Sequence, residues 1–147
     1  MKPLNYIKIE FPSRSVNESF ARTAVACFFA QLDPTLDELN DVKTAVSEAV
    51  TNCCVHAYPD SIGKIQLTAR LLPGSVLEIT VKDKGVGIAD VEMAKTPMYT
   101  TGGGERSGMG FTIMESFMDT LRVRSQPGRG TVVTMRRRVK LRAGDRG

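Results

Sequence analysis

A chain of 147 residues fits one ordinary domain, large enough to bury a core without metal or disulfide staples. Its 41% hydrophobic and 24% charged content is typical of a globular protein and excludes wholesale disorder. No apolar run approaches the ~18 residues that span a bilayer, and the N-terminus lacks the apolar stretch of a secretory signal. We therefore expect a cytoplasmic protein with no membrane partner.

The net charge of +4 is concentrated towards the C-terminus. From Arg122 onward, nine Arg or Lys residues stand against one acid, Asp145. Such a cluster can neutralise nucleic-acid phosphates, but no aromatic residues or docking motif accompany it. We interpret it as a solvated last strand and a frayed tail, with no direct nucleic-acid contact. We expect a single domain over residues 1–139 and a basic, disordered tail over residues 140–147.

Three cysteines are present, and two of them, Cys53 and Cys54, are adjacent within a helical pattern. An odd number without a CxxC pair provides neither a disulfide framework nor a thiolate metal site. Free cysteine is commonly buried, so all three are predicted to be small core residues.

The first two elements follow from an alternating segment and a helical repeat. Apolar side chains alternate over residues 5–11, which is typical of a half-buried strand. Ser15 and Glu18 have the spacing of a capping box, in which serine caps the helix N-terminus and glutamate reaches back. Apolar residues at helical spacing then predict a helix over residues 16–31.

A second capping box, Thr35 and Glu38, opens a longer helix that we expect to run to about Ala57. Its apolar residues form one helical stripe: Leu39, Val42, Val46, Ala49, Val50 and Cys53.

Two hairpins, a long loop and a further helix complete the chain. The predicted elements are, in chain order, strands 64–72 and 75–83, a helical turn within 90–95, helix 110–119, and strands 121–126 and 131–139. Residues 96–109 are too rich in Gly, Thr and Pro for regular structure, and loops of this length are usually functional or disordered. Tight turns between neighbouring strands predict an α+β fold: a two-layer α/β sandwich with a mixed, mostly antiparallel sheet and helices on one face.

Glu48 and Asn52 lie four residues apart on the second helix and project from one face, with His56 extending the row. A carboxylate there can orient or deprotonate a nucleophile, and a neutral amide oxygen suits Mg²⁺ that also touches phosphates. Alone, the pattern favours a polar helix edge with an incidental asparagine.

Asp83 ends an apolar strand and is followed by Gly85 and Gly87. Glycine allows positive φ and lets a flat ligand approach the backbone. The carboxylate could accept a hydrogen bond from an amino group such as that of adenine. The alternative is a plain turn, because this short motif is weak by itself.

Gly108 and Gly110 stand immediately before the helix that is predicted to begin near Phe111. Backbone N–H groups at such a glycine-opened helix start form an anion site. Arg106, two residues upstream, could reach a terminal phosphate. The glycines could equally cap the helix and end a linker, and no GxxxxGK[ST] motif of a P-loop occurs.

Together, the order and placement of these segments resemble the ATP-binding fold (the Bergerat fold) shared by gyrase, heat-shock chaperone ATPases, histidine kinases and mismatch-repair ATPases. The resemblance implies that Asn52 coordinates Mg²⁺ and Asp83 contacts adenine, and Thr131, in a Gly-Thr element, supports Asp83. It implies further nucleotide contacts around a flexible lid: Gly85, Gly87, Thr101, Ser107, Gly108, Met109 and Gly110.

The segments Ser15–Asp33, Thr35–Asn52 and Glu105–Glu115 are similar to those of the anti-sigma F factors, protein serine kinases of sporulation. This resemblance covers the chain to about residue 139. Two departures from the family pattern are Ala57, where Gly is usual, and the three consecutive glycines 102–104 in the lid.

The anti-sigma resemblance implies Glu48 as catalytic base and Arg106 as a γ-phosphate contact. It implies that Glu18 and Arg22 lie on a surface recognising a sigma factor and an anti-anti-sigma protein, and that the chain forms a homodimer with ATP or ADP bound. From the residues alone, Glu18 and Arg22 are merely an i, i+4 pair on a solvated face.

Other functions remain open at this point. A stress-response anti-sigma kinase would use the same chemistry with different partners. A non-catalytic module could bind a transcription factor with ATP only tuning its shape. An autonomous ATPase is a third possibility, whereas a complete histidine kinase lacks support because no second helical domain presents a phosphoacceptor histidine.

Overall fold

The computed structural model describes residues 2–91 and 109–140. Within them the elements are β1 (Asn5–Pro12), α1 (Val16–Phe29), α2 (Leu36–Asn52), β2 (Lys64–Leu72), β3 (Val76–Asp83), α3 (Met109–Phe117), β4 (Thr120–Gln126) and β5 (Gly130–Arg138). A 3₁₀ turn, Ala30–Leu32, follows α1, and a π-helical segment, Cys53–Ala57, follows α2. Most of the turn expected within 90–95, the loop before Met109 and the tail after Lys140 lie outside the described residues.

The five strands form one sheet in the order β1-β2-β3-β5-β4. Every strand pairing in it is antiparallel, so the α+β sandwich is confirmed, whereas the expectation of a partly parallel, mixed sheet is wrong. The two predicted hairpins are confirmed at Pro73–Ser75 and Pro127–Arg129, and tight hairpin turns can only join antiparallel strands.

Strand register separates the sheet into an apolar face and a polar face. Leu67 pairs with Ile9 and with Val81, and Val81 pairs with Val133, so one row of side chains is apolar across four strands. The three helices contribute the other half of the core; their fully buried side chains are Ala21, Val25, Phe29, Val42, Ala45, Val46, Val50 and Met114. No helix of the described part of the chain is long and apolar enough to cross a bilayer.

The opposite face of the sheet is polar and carries most of the basic residues of the last strands. Thr68, Thr80 and Thr134 pair in register along its centre. Arg136 is exposed there and joins Arg70 in binding the buried carboxylate of Glu78, at 2.7 and 2.9 Å. The described basic residues therefore include both solvated and ion-paired side chains.

Only one of the two predicted capping boxes forms. The Thr35 hydroxyl accepts the N–H of Glu38 at 3.1 Å, and the Glu38 carboxylate accepts the N–H of Thr35 at 2.8 Å. Ser15 has helical φ and ψ of −56° and −32° and makes no side-chain cap, so that prediction is wrong. A helical N-cap conformation turns the hydroxyl away from the orphan N–H groups, and Glu18 instead pairs with Arg22 at 3.4 Å.

The first helix is shorter than predicted, and the second has an altered last turn. α1 ends at Phe29, and the 3₁₀ turn after it stops at Asp33, which has φ of 52° and precedes Pro34. Proline disfavours the α conformation in the residue before it, which explains the stop. The second helix reaches Ala57 as predicted, but its last turn is π-helical, with Tyr58 N–H donating to Cys53 O at 3.3 Å.

The cysteines do not share one environment. Cys53 is 4% exposed and belongs to the core, as predicted, whereas Cys54 is half-buried. Cys27 is exposed, so its assignment to the core is wrong. It lies between the buried positions of α1 on the side of the helix that faces solvent, because the buried stripe is at Val25 and Phe28.

The end of β5 is tied to α2 and α3 by charged side chains. Arg137 forms an ion pair with Asp41 at 3.0 Å and donates a hydrogen bond to the carbonyl oxygen of Phe117. Lys140 N–H donates to the second oxygen of Glu38 at 2.9 Å. Burial opposes ionisation of Glu38, but these hydrogen bonds, those from Thr35 and the charge of Arg137 together lower its pKa. The cap of α2 is therefore also a contact between layers.

The capping-box sequences at Thr35 and Ser15 allow a matched test of the helix cap. We expect Thr35→Ala to lower the free energy of unfolding by about 1 kcal/mol, because it leaves the N–H of Glu38 without its cap. Ser15→Ala should change it by less than about 0.5 kcal/mol, since no cap is lost. Urea denaturation of both variants measures the difference, and equal losses would contradict the assignment.

Candidate functional site

Asp83 is the centre of the candidate site. It ends β3 with 6% of its surface exposed, and its Oδ1 accepts the N–H groups of Gly85 at 2.9 Å and Thr131 at 3.2 Å. Its Oδ2 accepts the thiol of Cys53 at 3.5 Å. Burial raises the pKa of the Asp83 carboxyl, and the three hydrogen bonds oppose that increase. The carboxylate is thus fixed by one residue from each of three segments.

The loop after Asp83 packs tightly against the π segment and the β4–β5 turn. A Cβ on Gly85 would overlap the carbonyl of Ala57, and one on Gly87, which has φ of +76°, would overlap that of Gln126. Between them, Val86 N–H donates to Ala57 O at 2.9 Å. Glycine is therefore required by close backbone approach at both positions, and Ala57 is accommodated opposite Gly85.

A hydroxyl that the sequence did not single out joins this loop to β5. The Oγ of Ser125 accepts the N–H of Ile88 at 2.8 Å and donates to the carbonyl of Gly130 at 2.9 Å, with the hydroxyl of Thr131 2.7 Å away. Thr131 supports Asp83 through its backbone N–H, while its hydroxyl contacts Ser125. Ser125 precedes an ordinary turn, and nothing in its local pattern signals this role.

Tyr58 is a second residue that sequence reasoning missed. Its hydroxyl donates to Lys64 O at 2.7 Å and accepts the N–H of Lys84, also at 2.7 Å. Burial raises the pKa of this phenol, and the nearby charge of Asp83 adds to the increase. The Tyr58 hydroxyl therefore joins the end of the π segment to the start of β2 and to the loop after β3.

The polar row on α2 lies at the edge of the helix-sheet core. Glu48 and Asn52 are both half-buried, beside the buried positions Ala49 and Cys53. Asn52 is the last α-helical residue, and the π segment begins directly after it. π turns recur at functional sites because they change which side chains project towards a ligand.

The start of α3 lies against the side chain of Asn52. A Cβ built on Gly110 would be 2.9 Å from Oδ1 and 3.2 Å from Nδ2 of Asn52. The described part of α3 begins at Met109, so the backbone N–H groups at that end of the helix are beside the Asn52 amide. Such N–H groups favour an anionic ligand.

Two consecutive residues thus join the three predicted segments: Asn52 contacts the start of α3, and Cys53 contacts Asp83. The predicted lid contacts Thr101, Arg106, Ser107 and Gly108 lie outside the described residues. The gathered groups are a buried carboxylate, an amide and a helix N-terminus, which suit an amino group, a hard cation and a phosphate respectively.

Glu18 and Arg22 are partly exposed on α1. The pair is formed as expected at 3.4 Å, with side chains 24% and 37% exposed. Burial raises the pKa of Cys54, a residue of the π segment, and the negative charge of Glu18 raises it further. The Glu18–Arg22 pair therefore lies near the π segment. This surface is beside the candidate site and separate from the Asp83 contacts.

Comparison with known proteins decides the family. A family model described as a histidine kinase-like ATPase domain matches residues 11–137. The chain is 56% identical to an anti-sigma F factor of Caldanaerobacter subterraneus over 132 residues, 89% of this chain and 92% of the relative. It is 57% identical to one from Pasteuria penetrans, covering 89% of each. The chain belongs to the anti-sigma F factor family of histidine kinase-like ATPase domains.

Two solved structures have folds similar to that of this chain. One contains the RsbU and RsbW domains of a Mycobacterium tuberculosis protein, with a TM-score of 0.67 at 18% identity, covering 93% of this chain and 32% of that longer chain. Another is the histidine kinase domain of a blue-light-activated kinase of Erythrobacter litoralis, with a TM-score of 0.58 at 22% identity, covering 83% and 60%. A kinase-type ATPase domain implies nucleotide binding.

The contact between Gly110 and Asn52 gives a test of the site in this family member. Gly110→Ala should keep folding stability within about 1 kcal/mol, because alanine favours a helix, yet its Cβ must displace the Asn52 amide. We expect ATP affinity in the presence of Mg²⁺ to fall about tenfold, measured by calorimetric titration. Ser116→Ala on the same helix is the control, and equal affinities for the two variants would contradict the contact.

Proposed function

We propose that this chain is an anti-sigma factor and a protein serine kinase of sporulation. It binds a sigma factor of the sigma F type, and it transfers the γ-phosphoryl group of ATP to a serine of an anti-anti-sigma protein. The observation that carries the proposal is the contact of Asn52 with Gly110 and of Cys53 with Asp83, which brings the three motif segments together within an anti-sigma F family member.

The donor set of the site fits ATP and Mg²⁺. Asp83 keeps an oxygen, Oδ2, whose one donor among the described residues is the Cys53 thiol, so it can accept the amino group of adenine. The Asn52 amide oxygen stands beside the N-terminus of α3, where phosphates are favoured, and would hold the metal. Mg²⁺, when bound, supplies charge neutralisation on the phosphates.

Glu48 is proposed as the base that receives the serine proton. This proposal is supported by its position one helical turn before Asn52, because residues four apart project from the same side of a helix. The oxygen of the substrate serine forms a bond to the γ-phosphorus as the bond between the γ-phosphorus and the β–γ bridging oxygen breaks. The proton of the serine hydroxyl passes to Glu48, and ADP leaves. Arg106 and the lid residues Thr101, Ser107, Gly108 and Met109 are proposed nucleotide contacts on the strength of the resemblance.

The remaining assignments follow from family membership. Glu18 and Arg22 are proposed to recognise the sigma factor and its antagonist, supported by their partly exposed ion pair near the π segment. We further propose a homodimer in the cytoplasm, with residues 1–139 as the kinase domain and 140–147 as a basic tail. Gly85, Gly87 and Thr131 are proposed to complete the adenine end through their contacts around Asp83.

Removal of the proposed base tests the chemistry. Glu48→Gln keeps the shape of the side chain but cannot take a proton, so phosphoserine formation should fall by about two to four orders of magnitude. ATP affinity should stay within about twofold of the unaltered chain, because the proposed role lies in the transfer step. Transfer of label from γ-labelled ATP to the purified antagonist protein measures the rate.

The control is Asp37→Asn, which neutralises an exposed acid in the first turn of the same helix. If Glu48→Gln transferred the phosphoryl group at an unchanged rate, the assignment of Glu48 as the base would be wrong. Absence of phosphoserine with the unaltered chain and a bound antagonist would favour a non-catalytic binding module. ATP turnover without any protein substrate would favour an autonomous ATPase, and selective binding of a stress-response sigma factor would favour that branch of the kinases.

A further inference from the structure

Cys53 contacts the nucleotide-site carboxylate from inside the core. Its Sγ lies 3.5 Å from Oδ2 of Asp83, and the residue is 4% exposed at the first position of the π segment. Its backbone N–H is already bonded to the carbonyls of Ala49 and Val50, so the thiol is the group available to Asp83.

We propose that Cys53 is a positioning residue for purine recognition: its thiol donates to Oδ2 of Asp83 and holds the carboxylate in the orientation that accepts the amino group of adenine. This inference rests on the proposed role of Asp83 in nucleotide binding.

The two oxygens of Asp83 are held very differently. Oδ1 accepts two backbone N–H groups, from Gly85 and Thr131, which saturates its in-plane acceptor positions. Oδ2 accepts Cys53 alone among the described residues and keeps one acceptor position for a ligand. Without the thiol, the carboxylate is fixed at only one oxygen and can rotate, which moves the remaining acceptor away from the amino group.

A thiol suits this position better than a hydroxyl. A serine within a helical turn tends to bond the carbonyl four residues earlier, here that of Ala49, and its shorter side chain would leave Asp83. Sulfur has a longer reach and behaves as a small apolar group in the core. Cys53 therefore satisfies the core and the carboxylate together.

The thiol is the donor in this contact, because a carboxylate oxygen can only accept. Within residues 2–91 and 109–140, the titratable groups around the Asp83 carboxyl are Cys53 and Tyr58, while its neighbours in register are Ile65 on β2 and Thr131 on β5. Lys84 follows it in the chain but is exposed.

Nucleotide titrations of matched cysteine variants test the proposal. Cys53→Ala should weaken ATP binding about fivefold, the value of one lost hydrogen bond, and should not change the affinity measured for GTP, so that any preference for ATP over GTP falls. Cys53→Ser should reduce the ATP preference to a similar extent, because the serine hydroxyl bonds within the helix and leaves Asp83. Cys54→Ala removes the neighbouring half-buried thiol and should leave ATP binding as it was.

The ionisation of Asp83 gives a readout that needs no nucleotide. The Cys53 hydrogen bond lowers the pKa of Asp83, so Cys53→Ala should raise that pKa. As a consequence for binding, the variant should lose ATP affinity at a higher pH than the unaltered chain when the solution is acidified. Carbon NMR of the Asp83 carboxyl, recorded without nucleotide, measures the shift, with Cys54→Ala as the reference.

The outcomes separate the inference from the proposed function. If Asp83→Asn abolishes ATP binding but Cys53→Ala matches Cys54→Ala in both nucleotide preference and Asp83 pKa, the inference on Cys53 is wrong and the ATP site stands. If Asp83→Asn leaves ATP affinity unchanged, the proposed function of Asp83 and the inference both fall. A raised Asp83 pKa together with a reduced ATP preference supports the inference.

Discussion

The buried carboxylate of Asp83 is the constraint on which the candidate site depends. A carboxylate that is 6% exposed must keep hydrogen-bond donors, because an ionised group in an apolar interior is unstable without them. The donors come from the loop after β3, the start of β5 and the end of α2. Three segments that are far apart in the chain are therefore held together by one side chain, and the glycines among them permit the close approach.

The change from α-helix to π-helix extends this constraint to the phosphate end of the site. Asn52 and Cys53 are consecutive, yet the first lies against Gly110 of α3 and the second against Asp83 of β3. The end of α2 is thereby a rigid link between the proposed metal ligand and the proposed adenine contact. Tyr58, bonded to Lys64 and Lys84, fixes the other end of the π segment.

Features that depend on local pattern could be predicted, and features that depend on tertiary partners could not. Strand alternation and turn residues predict both hairpins, which the structure confirms, whereas the glycines after Asp83 leave a plain turn open and its adenine contact rests on the family resemblance. The two capping boxes have equivalent sequences, but only Thr35 adopts the extended conformation that a cap needs, which the spacing alone does not encode. Ser125 and Cys53 were missed as site residues because their partners are 30 or more residues away or across a turn. The exposed Cys27 shows that the position of a residue on a helix predicts its burial better than the residue type does.

The central claim is that the ends of α2 and β3 and the starts of β5 and α3 form one nucleotide site. Its most direct test is an amide NMR titration of the unaltered chain with ADP and Mg²⁺. The account predicts large shifts for the N–H groups of Gly85, Thr131 and Gly110, and small shifts for Gly74 and Arg138 at the opposite end of the sheet. Shifts confined to that opposite end, with Gly85 and Thr131 unmoved at saturating nucleotide, would contradict it.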